Sequence, residues 1–256
     1  KITPDGTSSI FSATGSSPIG LAIDTAGNVY TANRDSNNVS KITPDGNSIT
    51  LGVTGEQPYS IALDTAGNVY TANSYSNTVS KITPDGTSII LGTTGIYPLG
   101  IALDAADNIH TSNFYSNNVS KITPSGTSSF GITGSNPNAI AIDAAGNVYT
   151  SNNGSNNVSK ITPDDTSIIL GATGNQPQAI SLDNAGNVYT ANSGSNDVSK
   201  ITSDGTPTIL GTTGILPTAI AIDTAGNVYT ANFNSNNVSK ITDTSTATFA
   251  ATGDTS

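Results

Sequence analysis

Cysteine is absent from the 256 residues, which excludes disulfides, thiolate metal sites and a cysteine nucleophile together. Methionine is absent too, even at position 1, as expected of a mature product or an excised fragment. Basic residues are scarce, 8 against 18 acidic ones, for a net charge of −10. No positive field exists to hold a phosphate backbone, so nucleic acid is not an expected partner, and anionic membrane surfaces are disfavoured for the same reason. No apolar run approaches the length that spans a bilayer, so membrane insertion is not expected. Histidine occurs once, at His110, and glutamate once, at Glu56.

What remains is 34% hydrophobic and only 10% charged, with much Thr, Ser, Asn and Gly. That balance suits short strands joined by many turns, and leans towards a secreted or cell-surface microbial protein.

The sequence is one sentence repeated. V-S-K-I-T recurs with its lysine at Lys41, Lys81, Lys121, Lys160, Lys200 and Lys240, and a further K-I-T begins at Lys1. The spacing is 40 residues throughout except for one interval of 39. Self-similarity at this period marks an array whose units cannot bury their apolar faces alone and pack against their neighbours.

In the second unit, four β-favouring runs are separated by turn signals. Asp64 to Asn68 (D-T-A-G-N) and Pro84-Asp85-Gly86 are tight hairpins, and Asn73 to Asn77 is a short polar loop. Each repeat thus reads as a four-stranded antiparallel meander. Ile61 and Leu63 alternate with Ala62, and Val69 with Tyr70, so both sheet faces are apolar and need covering. Sheets packed face to face around an axis meet that need, giving an all-β, six-bladed β-propeller of four-stranded blades in a single domain. A solenoid is the competitor, but its coils do not carry three hairpin-type turns per repeat.

The segment P-x-x-I-A-[IL]-D-x-A-G-N-V-Y-T-A-N resembles NHL-type propeller repeats over nearly the whole chain, and S-K-I-T-P-D-G resembles a phrase of streptogramin-lyase-like propellers. Enzymes of the lyase or lactonase kind imply a metal in or over the central channel, or a catalytic histidine with a glutamate. Here that chemistry would fall to His110 and Glu56.

Strand counting leaves a surplus at the ends. Blades of 18–54, 58–94, 98–133, 137–173, 177–213 and 217–242 need one more outer strand, and both 5–14 and 243–256 read as that strand. Ile10 and Phe11 offer larger apolar groups than Ala247, Ala250 and Ala251, each worth ~1.5–3 kcal/mol on burial, so closure by 5–14 is expected. Residues 243–256 would then be a tail or a surplus edge strand, giving a monomer or an edge-strand-mediated oligomer. The 39-residue interval is expected in the outermost strand of the third blade, near 128–132.

The repeats serve as their own comparison set. The hairpins scarcely change, whereas the residues around the proline and those after T-A-N vary freely. These loops carry Tyr59, Tyr75, Tyr97, Phe114, Tyr115 and Phe233, the candidate binding residues for a protein or glycan, since tyrosine combines rigid apolar area with a hydroxyl. The repeated Asp and Asn residues read as turn caps rather than metal ligands, because D-T-A-G-N lacks the alternating oxygens and distal Glu of a calcium loop. No cofactor or metal is called for. His110 stands where the other units have Tyr30, Tyr70, Tyr149, Tyr189 and Tyr229, and is a weak catalytic candidate. The N-x-S sequons at Asn38, Asn118, Asn153, Asn157 and Asn237 belong to the repeat or arise incidentally. The expected function is a non-catalytic scaffold for extracellular binding through the variable loops. The alternative is a lyase- or lactonase-like enzyme.

Overall fold

The computed structural model describes residues 9–123, 126, 128–242 and 246–249. Every repeat forms a four-stranded antiparallel sheet whose strands follow chain order, as a meander must. The first comprises β1 (Pro18–Ile23), β2 (Val29–Asn33), β3 (Asn38–Ile42) and β4 (Ser48–Val53); the second β5 (Pro58–Leu63), β6 (Val69–Asn73), β7 (Thr78–Ile82) and β8 (Ser88–Thr93). The third comprises β9 (Pro98–Leu103), β10 (Ile109–Asn113), β11 (Asn118–Ile122) and β12 (Ser128–Ile132); the fourth β13 (Pro137–Ile142), β14 (Val148–Asn152), β15 (Asn157–Ile161) and β16 (Ser167–Ala172). The fifth and sixth comprise β17 (Pro177–Leu182), β18 (Val188–Asn192), β19 (Asp197–Ile201), β20 (Pro207–Thr212), β21 (Pro217–Ile222), β22 (Val228–Asn232), β23 (Asn237–Ile241) and β24 (Thr246–Phe249).

The residues fall into two compact units, 1–111 with 120–129 and 112–119 with 130–256, so the third sheet is divided between them. In the first unit β1 runs beside β5 and β5 beside β9; in the second, β13 lies beside β17 and β17 beside β21. Neighbouring blades share their cores. Tyr30, Ala32, Val39 and Leu51 of the first blade pack against Ile61, Val69 and Ile82 of the second, and Tyr189 and Val198 of the fifth against Val228 and Ile241 of the sixth. This is the two-sided apolar patterning of the strands at work: each sheet presents Tyr, Ala and Val to the next blade and receives its predecessor on Ile, Leu and Val. The receiving face of the first blade is the more exposed. Leu21 is 62% exposed, whereas its counterpart Ile61 is 7% exposed.

The hairpin between strands one and two is built by its aspartate. Asp24 Oδ1 accepts the Ala26 and Asn28 backbone N–H groups at 3.0 and 2.8 Å, and its Oδ2 accepts Asn28 Nδ2 at 2.7 Å. Gly27 closes the turn at φ +82°, which favours glycine. In the third blade Asp107 occupies that position at φ 58°.

Two features of strand length refine the sequence reading. β12 has five residues where β4, β8, β16 and β20 have six, so the 39-residue interval loses its residue in the outermost strand. Those longer strands whose registers are described carry a bulge against strand three, between Val39 and Ser40 in the first blade, so an outer strand absorbs the loss without exchanging the faces of the inner ones.

The closure expected from the N-terminus is corrected. The outer strand of the sixth sheet is β24, paired in uninterrupted register from Val238↔Phe249 to Ile241↔Thr246, and no strand lies in 9–14. Residues 5–8, 243–245 and 250–256 lie outside the described residues. A local hairpin needs only a short loop closed, whereas recruiting 5–14 joins opposite ends of the chain, and that entropic difference works against the larger side chains of Ile10 and Phe11. Residues 11–15 instead lie along the first blade as the outer strand of a preceding blade would. Ser12 Oγ bonds the Gly46 carbonyl at 2.9 Å, and the Gly15 N–H bonds Ser40 Oγ at 3.2 Å, as Gly55 does Ser80 at 2.9 Å.

A chain ending at Thr242 should therefore melt at a lower temperature and show faster amide hydrogen exchange across β23, which becomes an open edge. Unchanged exchange at Asn237–Ile241 would return closure to the N-terminal segment.

Candidate functional site

The variable loops are held by a backbone device that repeats in every blade. The residue before each strand-one proline adopts a left-handed conformation: Ser17, Gln57, Tyr97, Asn136, Gln176 and Leu216 all have φ between 53° and 61°. For residues other than Gly this costs about 1–2 kcal/mol each, and the surroundings offset it. Asn37 Oδ1 accepts the Gln57 N–H at 2.8 Å, Asn77 that of Tyr97 at 2.7 Å, Asn156 that of Gln176 at 2.8 Å and Asn196 that of Leu216 at 2.8 Å. These asparagines are themselves left-handed, a conformation Asn tolerates better than most residues. The carbonyl of the same pre-proline residue receives the loop between strands two and three, through Arg34 N–H to Ser17 and Ser74 N–H to Gln57, both at 2.9 Å. The linker and that loop are thus one hydrogen-bonded surface in the first, second, fourth, fifth and sixth blades.

Directly after the proline, strand one bulges. The pairing skips Ile19, Tyr59, Asn138, Gln178 and Thr218, so these side chains leave the regular alternation of the strand. In the second unit two of them meet, Asn138 Nδ2 donating to Gln178 Oε1 at 2.5 Å. The sequence showed that residues on both sides of the proline vary, but not that their backbone is fixed. The recurring asparagine in S-N-N-V-S, S-N-T-V-S or S-N-D-V-S was the available signal, since Asn is a left-handed residue by habit.

The candidate aromatics all stand in these loops or beside them. In the first unit Tyr75 is exposed, while Tyr59 and Tyr97 are half-buried. Burial, with Tyr97 nearby, pushes the Tyr59 hydroxyl above its ordinary pKa. In the second unit Tyr115 and Phe233 are exposed, and Phe114 meets Tyr115 edge to face with centroids 5.1 Å apart. The fourth and fifth blades carry no aromatic here. Their loops have Gly154 and Gly194 instead, and a cavity of about 390 Å³ is lined by Asn153, Gly154, Asn156, Asn175, Gln176 and Gly194.

His110 lies elsewhere. It is 5% exposed at the hairpin end of β10, with Nε2 3.1 Å from Asp104 Oδ2. There it takes the place of the tyrosine hydroxyl, since Tyr30 bonds Asp24, Tyr70 Asp64, Tyr149 Asp143, Tyr189 Asp183 and Tyr229 Asp223, each at 3.0 Å. Glu56 sits in the linker before β5, at the variable-loop end of its blade, with its N–H on Ser76 Oγ. The histidine and glutamate that the resemblance would pair therefore belong to opposite ends of their blades. No three His, Asp or Glu side chains come together among the described residues. The hairpin carboxylates are already saturated by turn N–H groups, Asn amides and Tyr hydroxyls, so this donor set does not fit a channel metal.

These meanders, their order and their shared faces define the six-bladed β-propeller class. Solved structures agree. A virginiamycin B lyase from Staphylococcus aureus matches with a TM-score of 0.84 at 17% identity, covering 93% of this chain and 86% of that one. A streptogramin B lyase matches with a TM-score of 0.82 at 17% identity, covering 94% and 85%. A gluconolactonase from Xanthomonas campestris matches with a TM-score of 0.65 at 14% identity, covering 85% and 84%. A search of curated proteins finds no match. A sequence model of the virginiamycin B lyase family matches residues 1–192. The chain belongs to that family.

The Tyr–Asp pairs set a pH window. Burial raises the Asp24 pKa, but the hydrogen bonds from Asn28, Tyr30 and Ala26 outweigh it and hold the carboxyl below its ordinary value; Asp64, Asp143 and Asp183 behave alike. Burial, and then the bond to Asp24, pushes Tyr30 up to about 12. A depressed carboxyl stabilises the fold above its unfolded pKa and loses that contribution as pH falls through the folded one. A raised phenol stabilises below its unfolded pKa, near 10, and loses the contribution as pH rises towards 12. The melting temperature should be level from about pH 5 to 9 and fall on both sides. A monotonic profile would count against these pairs.

His110→Tyr restores the bond that five blades share. Consensus substitutions of this kind commonly add about 1 kcal/mol, which in a domain of this size raises Tm by roughly 2–4 °C. A fall in Tm on scanning calorimetry would show that the third blade has repacked around the imidazole.

Proposed function

We propose that this member of the family is a non-catalytic extracellular binding module that engages a protein or glycan through its variable loops. The observation that carries the reading is the left-handed pre-proline residue. Six positions keep one backbone conformation, supported in the described links by the preceding blade's asparagine, while their side chains run Ser, Gln, Tyr, Asn, Gln, Leu. Fixed backbone with free choice of side chain is the arrangement of a recognition surface on a rigid scaffold. Tyr75, Tyr115 and Phe233 add exposed aromatic area beside it. The acidic, cysteine-free composition suits a secreted or cell-surface setting.

Family membership supports a second reading, an enzyme of the lyase kind. One solved relative is a catalytically inactive His-to-Ala variant of the Staphylococcus aureus lyase with quinupristin, which assigns that protein's activity to a histidine. In this chain the single histidine is committed to Asp104.

Binding to arrays of glycans and extracellular-matrix proteins should be weakened by Tyr75→Ala and by Tyr115→Ala, by roughly 1–2 kcal/mol or 5–30-fold each, with unchanged melting curves. Consumption of quinupristin by the intact chain, abolished by His110→Ala, would overturn the binding reading in favour of the enzyme.

A further inference from the structure

We infer that the cavity between the loops of the fourth and fifth blades is a binding site for a short uncharged carbohydrate. The inference deepens the variable-loop reading by assigning a ligand class to a part of that surface which carries no aromatic residue.

The lining is four carboxamides and two glycines, Asn153, Asn156, Asn175, Gln176, Gly154 and Gly194. Several of its polar groups are uncommitted. Asn153 Nδ2 lies just beneath the lining with no hydrogen-bond partner in the protein, and a turn of the side chain brings it to a ligand. Asn156 uses its Oδ1 on the Gln176 N–H and keeps its amide N–H₂ free, while Asn175 and Gln176 are tied by their backbones through Ser195 Oγ, Gly194 N–H and Ser193 N–H. A carboxamide offers donors and an acceptor on one rigid plane, and each sugar hydroxyl likewise donates and accepts. Adjacent hydroxyls can thus bridge adjacent amides. No ionisable side chain lines the cavity, so a charged ligand would lose its hydration without a counter-charge. No apolar side chain lines it either, which leaves nothing to hold the side chains of a peptide.

A side chain at Gly194 would crowd the lining itself, and one at Gly154 the linker beside it. In the other blades the equivalent positions are Asp35, Tyr75, Tyr115 and Asn234. A Cβ on Gly154 would collide with Asn136 Oδ1, and one on Gly194 would come within 3.1 Å of Asn175 Cβ and Gln176 Oε1. Only the fourth and fifth repeats have glycine here, and they are neighbours.

The test is a titration of the full-length, isotope-labelled chain with maltotriose, cellotriose, mannotriose and triacetylchitotriose, followed by side-chain amide NMR, with sialyllactose and triglycine as controls. At least one neutral trisaccharide should shift the Asn153, Asn156, Asn175 and Gln176 amide signals at about 10 mM or below, and Asn153→Leu should weaken it by roughly tenfold or more. Gly194→Tyr should abolish the response; should it fail to fold, Gln176→Ala, which adds no volume, should weaken binding and serves in its place. Absence of shifts with all four sugars, an equal response to triglycine, or full binding by Asn153→Leu and Gln176→Ala would overturn the assignment. If Tyr75→Ala or Tyr115→Ala weakens a sugar that Asn153→Leu leaves unaffected, the variable-loop reading stands and the cavity assignment falls.

Discussion

One hydrogen bond organises the variable-loop end of this chain: the side-chain oxygen of a left-handed asparagine in one blade accepting the N–H of the pre-proline residue in the next. From Asn37 to Gln57 and from Asn196 to Leu216 the bond has the same partners and nearly the same length. It joins neighbouring blades at their loop end, while the Tyr, Ala and Val packing joins them along their faces. It also satisfies a backbone donor that a linker at the molecular surface would otherwise leave to water. Because the support comes from the neighbour's asparagine and from the residue's own backbone atoms, the side chain is not needed for it and varies.

The opposite end of each blade works by different chemistry. There the aspartate of D-x-A-G-N gathers turn N–H groups, an asparagine amide and a tyrosine hydroxyl on one carboxylate. These groups are spent on the turn, and a residue that enters the set, as His110 does, is spent with them. The two ends of a blade are therefore held by different groups, the hairpin end by carboxylates and the loop end by asparagine amides. The repeat constrains one end of the blade and leaves the other open to change.

Much of the fold was legible in the sequence because a 40-residue period fixes strand number and register together. The turn signals at Asp64-Asn68 and Pro84-Gly86 mark ends that the strands respect, and the short interval falls in β12 because an outer strand can lose a residue without exchanging the buried and exposed faces of the inner ones. The outer strand of the sixth blade was misread. Side-chain size at Ile10 and Phe11 argued for one end of the chain, but proximity along the chain favoured Thr246–Phe249. The variable-loop surface was legible only as variation around the prolines. Its bulge and its left-handed residues come from bonds between repeats, and no single repeat contains both partners.

An amide-rich surface also has a chemical lifetime. Asparagine followed by glycine is the peptide context most open to deamidation, because nothing on the next residue hinders its backbone nitrogen from attacking the side-chain carbonyl. Asn153-Gly154 is that pair, set in an exposed loop of a chain that already carries ten surplus negative charges. Its attacking nitrogen is occupied, however, since the Gly154 N–H is bonded to the Ser135 carbonyl at 3.0 Å. The bond that shapes the loop therefore also slows its ageing, and any loosening of the linker before β13 would expose a neutral surface to slow conversion into an anionic one.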